Sequence, residues 1–115
     1  VRQNKNQPSA NDIYFIKAAR GAEAKGSIVS DGFVVFEGSK IASSETPSMS
    51  ESLKKLRENL VKNKIIDDKF CFTKDFVFSS PSLAASTVMG RNANGRTEWK
   101  TVNGKNIKDF EDRII

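Results

Sequence analysis

At 115 residues, with 37% hydrophobic and 29% charged side chains, the chain is long enough for one packed core and too short for two, so a single domain is expected. Its formal charge of +5 permits an anionic partner, while the absence of histidine and the lone Cys71 exclude Ser-His and Cys-His nucleophile pairs, thiolate zinc clusters and internal disulfides. Most enzyme templates fall with them. No apolar run reaches the length of a membrane span, and a single cysteine without a basic-then-apolar leader fits a reducing cytoplasm.

Residues 1–12, VRQNKNQPSAND, are polar and contain a proline, which reads as a linker. A chain that opens on Val1 without an initiator Met is expected to be part of a longer protein, with the folded domain over 13–115. DIYFIKA at 12–18 is rich in β-formers and predicts a strand. Gly26 and Asp31-Gly32 then punctuate two further extended pieces, of which Phe33 to Phe36 is apolar throughout and suits a central strand covered on both faces.

Ser48 and Glu51 match a capping box, and Met49, Leu53, Leu56 and Leu60 follow at helical spacing, so a helix is predicted over about 49–62 with Asn63 as its stop. Lys54, Lys55, Arg57 and Lys62 fall on its outer, solvated face. In KFCFTKDFVF the phenylalanines alternate, which fits a short hairpin or a bent strand, and Cys71 among them is a structural thiol.

Ser80 followed by Pro81 predicts a second, short helix, with a capping hydroxyl and a proline in the first turn. Leu83, Ala84, Ala85, Val88 and Met89 give it a compact apolar stripe, and Gly90 ends it. Arg91 to Gly95 is turn chemistry. Thr97 to Val102, then Asn103-Gly104, then Lys105 to Ile107 predicts a hairpin, and a last helical turn is expected between Asp109 and Arg113. The fold class expected is α+β: a small, mainly antiparallel sheet with one longer and one short helix packed on it.

GAEAKG at 21, DGFVVFEGSK at 31, FTKDFVFSSPSLAAS at 72 and GRNANGRTEWK at 90 together resemble the bacterial domain of unknown function 4357 family over about residues 13–110. The resemblance implies an accessory module at the C-terminal end of GIY-YIG nuclease proteins, or beside restriction-modification components, with any catalytic domain upstream in the same chain. The second half is also similar to the restriction-enzyme adenine methylase associated domain through Ser80, Pro81, Ser82, Ala84, Ala85, Asn94, Gly95 and Trp99. That similarity implies DNA recognition. The relative commonly has tryptophan directly after Asn-Gly, where this chain has Arg96.

Two surfaces are candidates for contact with DNA. At the start of the short helix, Ser79, Ser80 and Ser82 either cap the helix or join its free N–H groups in holding a phosphate. Around the helix end and hairpin lie Arg91, Asn92, Asn94, Arg96, Lys100 and Lys105. From 71 to 105, Lys74, Arg91, Arg96, Lys100 and Lys105 stand against Asp75 and Glu98, net +3 of the chain's +5. Trp99 is read as a packing anchor rather than a stacking platform. The function expected is a non-catalytic, DNA-binding accessory domain without metal or cofactor. The alternative is a protein-protein interaction or oligomerisation module of the parent enzyme.

Overall fold

The computed structural model describes residues 12–114, with side chains as far as Phe110, so all of the expected linker except Asp12 lies outside the described residues. Strands β1 (Tyr14–Lys17), β2 (Glu23–Val29), β3 (Gly32–Val35) and β4 (Phe76–Phe78) pair antiparallel in the order β1-β2-β3-β4. Helices α1 (Glu51–Lys62), α2 (Pro81–Met89), α3 (Gly95–Glu98, a single turn) and α4 (Ile107–Ile114) complete the α+β domain. No helix among the described residues is long and apolar enough to cross a membrane.

Strand alternation sorts the sheet into two faces. Tyr14, Ile16, Ala24, Phe33, Val35 and Phe78 point into the core, where α2 lies against β2, β3 and β4. Ala84 and Ala85 let that helix approach closely, and Val88 fills the space behind them; complete burial of such a side chain is worth about 1.5–3 kcal/mol. The expectation that Phe33 to Phe36 is covered on both faces holds for Phe33, Val34 and Val35, which are all buried, while Phe36 is half-buried. Val34 turns outward, where its register partners Ser27 and Val77 shield it, and Val77 is itself 49% exposed.

Helix α1 starts two residues later than predicted. Ser50, not Ser48, is its cap, with the hydroxyl accepting the Leu53 N–H, so Glu51 is the first helical residue and forms no capping box. Met49 is buried, and its N–H closes a turn onto the Thr46 carbonyl. The Asn92 amide then brackets the entry, donating to the Ser48 carbonyl at 3.0 Å and accepting the Ser50 N–H at 3.2 Å. Asn63 caps the far end as predicted.

Arg57 also departs from its expected place on the solvated face; it is 5% exposed. Its guanidinium donates to the carbonyls of Thr87 (2.6 Å) and Ala42 (2.7 Å) and pairs with Glu45 at 2.9 Å. Burial lowers its pKa while the bond and charge of Glu45 oppose that shift; a guanidinium stays charged regardless.

The four last carbonyls of α2 and its cap, which a helix cannot satisfy by itself, all find partners outside the helix. Thr87 accepts from Arg57, Val88 from the Ala42 N–H, Met89 from Arg20 at 2.9 Å and Gly90 from the Thr46 N–H. Two cations thus sit at the negative end of the helix dipole. Gly90 adopts φ +68°, and a Cβ there would run into the Ser44 carbonyl.

Between Ile66 and Phe72, which form an isolated bridge, Asp67 organises a tight turn: its Oδ1 accepts the N–H of Lys69 (2.9 Å) and of Cys71 (3.0 Å). The hairpin expected within KFCFTKDFVF does not form: Phe72 bridges back to Ile66, Phe76–Phe78 pair with β3 instead, and Phe70 takes the left-handed position at φ +67°. Cys71 is half-buried, its thiol directed at the Lys69 carbonyl.

The predicted hairpin over 97–107 survives only at its tip. Asn94 caps α3, so Thr97 and Glu98 are helical, and the pairing shrinks to the Lys100–Asn106 bridge around the Asn103-Gly104 turn. Local capping together with burial of Trp99 outweighs β propensity in this stretch. The last helical turn is in fact longer, α4 beginning at Ile107. Asn106 and Asp109 exchange side-chain-to-backbone bonds at its start.

Candidate nucleic-acid interface

The start of α2 is a clasp closed by its own sequence. The Ser80 hydroxyl accepts the Leu83 N–H at 3.1 Å, and the Ser82 hydroxyl accepts the Gly95 N–H at 2.9 Å. The Pro81 carbonyl accepts the Trp99 indole N–H at 3.0 Å. Trp99 is fully buried and stacks on Phe33 with ring centroids 4.5 Å apart. Gly95 lies so close to the Pro81 backbone that a Cβ would overlap it. Ser80, Pro81, Ser82, Asn94, Gly95 and Trp99 thus form one device that seats α3 on α2.

Five of the nine residues singled out as contacts for DNA are engaged internally, three in the clasp and two beside it. Ser80 and Ser82 turn their hydroxyls to backbone amides, and Asn94 accepts the Arg96 N–H at 3.0 Å. Asn92 uses both ends of its amide on the entry to α1. Arg91 pairs with Glu98 at 3.4 Å and donates to the Asn92 carbonyl. Ser79 is exposed ahead of the helix.

What remains outward is a short basic ridge. Arg96 on α3 and Lys100 and Lys105 on the turn that follows are all exposed. The turn is held by the Thr101 N–H donating to the Lys105 carbonyl at 2.8 Å, and Gly104 at φ +81° allows it to close. Arg91 and Glu98 are paired to each other, and the ridge consists of the exposed side chains of Arg96, Lys100 and Lys105. A separate groove between α1 and residues 41–45 contains the Arg57–Glu45 pair and is floored by Ile41 and Phe70; it lies on other elements than the ridge.

Sequence reading did not anticipate the outer face of the sheet. Residues paired directly across an antiparallel ladder project to the same side, which arranges that face in rows. Lys100 bridges Phe15, Phe15 pairs with Lys25, and Phe36, next after β3, donates its N–H to the Lys25 carbonyl. Cations and phenylalanines therefore alternate across four extended segments. One row to a side, Lys17 pairs with Glu23 and Glu23 bridges Lys40. On the other side come Ile13, Ser27, Val34 and Val77. A strand here was expected from its β-formers, but neither the alternation of buried Tyr14 and Ile16 with exposed Phe15 and Lys17 nor the cross-strand partners were.

A family model described as Domain of unknown function (DUF4357) matches residues 14–111, and the chain belongs to that family. No curated protein and no solved structure matches it.

Proposed function

We propose that this member of the family is a non-catalytic accessory module that holds a DNA-processing parent protein, of the GIY-YIG nuclease or restriction-modification type, on duplex DNA. The observation that carries the reading is the ridge of Arg96, Lys100 and Lys105, exposed on a frame fixed by the clasp behind it. Three cations on a rigid support engage phosphates without ordering new chain. The chemistry of the chain supports the non-catalytic part: histidine is absent, and no group of three metal-ligating side chains occurs among the described residues. Among the described residues, the side chains with a shifted pKa, Arg57 and Asp67, are both engaged in holding loops and helix ends.

Contact of this kind reads charge rather than sequence. Asn92 and Asn94, whose amides have the chemistry to read a base edge, are occupied internally, as is the Trp99 ring. About three neutralised phosphates give a slope near −3 in log affinity against log salt. Fluorescence anisotropy with labelled duplexes, plain and methylated, tests this: the expected result is salt-sensitive binding with that slope, equal for both duplexes, and lost in Arg96→Glu/Lys105→Glu. Absence of binding at low salt sinks the reading.

A further inference from the structure

We infer that Asn103 is a site of spontaneous covalent modification, where the carboxamide converts to a carboxylate and the basic ridge loses part of its charge. The consequence for DNA rests on the duplex reading of the ridge; the modification itself does not. Its basis is a contrast between the two Asn-Gly pairs of the chain, Asn94-Gly95 and Asn103-Gly104, which share one chemistry and stand in opposite surroundings.

In such a pair the backbone nitrogen of the glycine attacks Cγ of the asparagine. A C–N bond forms, the bond to the side-chain nitrogen breaks, and ammonia leaves with the proton given up by the glycine N–H. Water then opens the cyclic imide, at the side-chain carbonyl to give aspartate or at the main-chain carbonyl to give isoaspartate. One water is consumed, one ammonia is released, and either product carries a negative charge where the amide carried none. The reaction needs a side chain free to turn onto the next nitrogen and a backbone free to follow, and glycine has no Cβ to obstruct the approach.

Asn103-Gly104 meets both conditions. The two residues are exposed at the tip of their turn, and the Asn103 carboxamide forms no hydrogen bond with a described residue. Nothing lies within 4 Å of the position a Cβ on Gly104 would take. The Gly104 N–H is held by one exposed turn bond, to the Thr101 carbonyl at 2.9 Å, which opens by local fraying and not by unfolding of the core.

Asn94-Gly95 meets neither. The Asn94 carboxamide accepts the Arg96 N–H at 3.0 Å, and its main-chain carbonyl accepts the N–H groups of Thr97 and Glu98. Gly95 is buried against the Pro81 backbone, with its N–H on the Ser82 hydroxyl at 2.9 Å. Freeing that nitrogen means opening the clasp that also holds Trp99. Asn103, by contrast, sits on the turn that carries Lys105 and follows Lys100, so a carboxylate there offsets one cation of the ridge. The slope of log affinity against log salt should then fall by about 1.

The test is incubation of the intact chain in warm, mildly alkaline buffer, with and without urea, followed by tryptic mass spectrometry. The peptides TVNGK and NANGR separate the two sites. In the folded chain Asn103 should convert at least about tenfold faster than Asn94, and in urea the two rates should agree within about threefold. Equal rates in the folded chain overturn the proposal, as does an Asn103 that stays intact there while Asn94 converts in urea. Asn103→Asp, which installs the charge without the isoaspartate linkage, should bind duplex more weakly than the unmodified chain and with the shallower salt slope. Unchanged affinity in that variant overturns the effect on the ridge. If neither form binds duplex, the duplex reading fails while the rates still decide the modification.

Discussion

Around the start of α2, Ser80, Pro81, Ser82 and Asn94 turn their polar atoms toward the chain's own backbone, and Trp99 does the same with its indole N–H. On the outer face of the sheet, Lys17, Lys25, Lys40 and Lys100 are exposed and pair with no described carboxylate. The first region is the most distinctive stretch of the sequence, and its distinctiveness comes from the demands of folding: a glycine that must lie against a proline, an indole that must find a carbonyl. The second is built of common residues whose significance arises from register alone. A motif that is conspicuous in a sequence can therefore mark a joint, while an exposed charged surface lies in unremarked alternation.

The sharpest way to break this contrast is at Trp99. Replacing it with Ala removes the stack on Phe33 and the bond to Pro81, and should cost about 3–5 kcal/mol in urea unfolding; a loss under about 1 kcal/mol would mean the clasp is not structural. Arg57→Met comes next. It leaves Glu45 and the Thr87 and Ala42 carbonyls without their donor, and removal of one partner from a buried pair costs about 3–5 kcal/mol. The lower end is expected here because Glu45 is partly exposed and can rehydrate.

Asn92→Ala should cost about 1 kcal/mol in the same measurement, since both bonds it loses lie at an exposed helix entry. Its effect on duplex affinity should be nil, which separates a joint from a contact. The smallest effect is at Asp67, whose carboxyl is held below the usual carboxylate range by the N–H groups of Cys71 and Lys69. A folded pKa below the unfolded value of about 3.9 adds stability that is present in full above that value and lost as pH falls through the folded one. Asp67→Asn, which keeps an acceptor and removes the charge, should therefore melt slightly below wild type at pH 7. Thermal melts should then converge as pH drops below about 4; a gap that persists there would assign the effect to geometry and not to charge.

Much of the fold was legible because it is local. The β-formers of YFIK, the serine and proline opening α2 and the glycine closing it each act within a few residues, and the strand and the helix ends were found where expected. The features that escaped are decided by distant partners. Ser50 replaces Ser48 as a cap because Asn92, 44 residues away, pins the Ser48 carbonyl. Arg57 points inward because carbonyls from residues 42 and 87 await it. Thr97 and Glu98 join a helix because Trp99 must reach Pro81. Of the residues named in advance as contacts, Ser79, Arg96, Lys100 and Lys105 are exposed; Ser80, Ser82, Asn92 and Asn94 could not be separated from them without the bonds that engage them.

The central claim is that the exposed cations meet a polyanion while the conspicuous polar residues only support them. It is tested most directly by measuring duplex affinity and unfolding free energy together for Arg96→Glu/Lys105→Glu and for Asn92→Ala. The account predicts a crossed result: the charge reversal loses duplex binding and keeps its stability to within about 0.5 kcal/mol, while the asparagine variant loses stability and keeps its affinity. Unchanged binding in the first variant, or binding lost in the second at a temperature where it is fully folded, would contradict it.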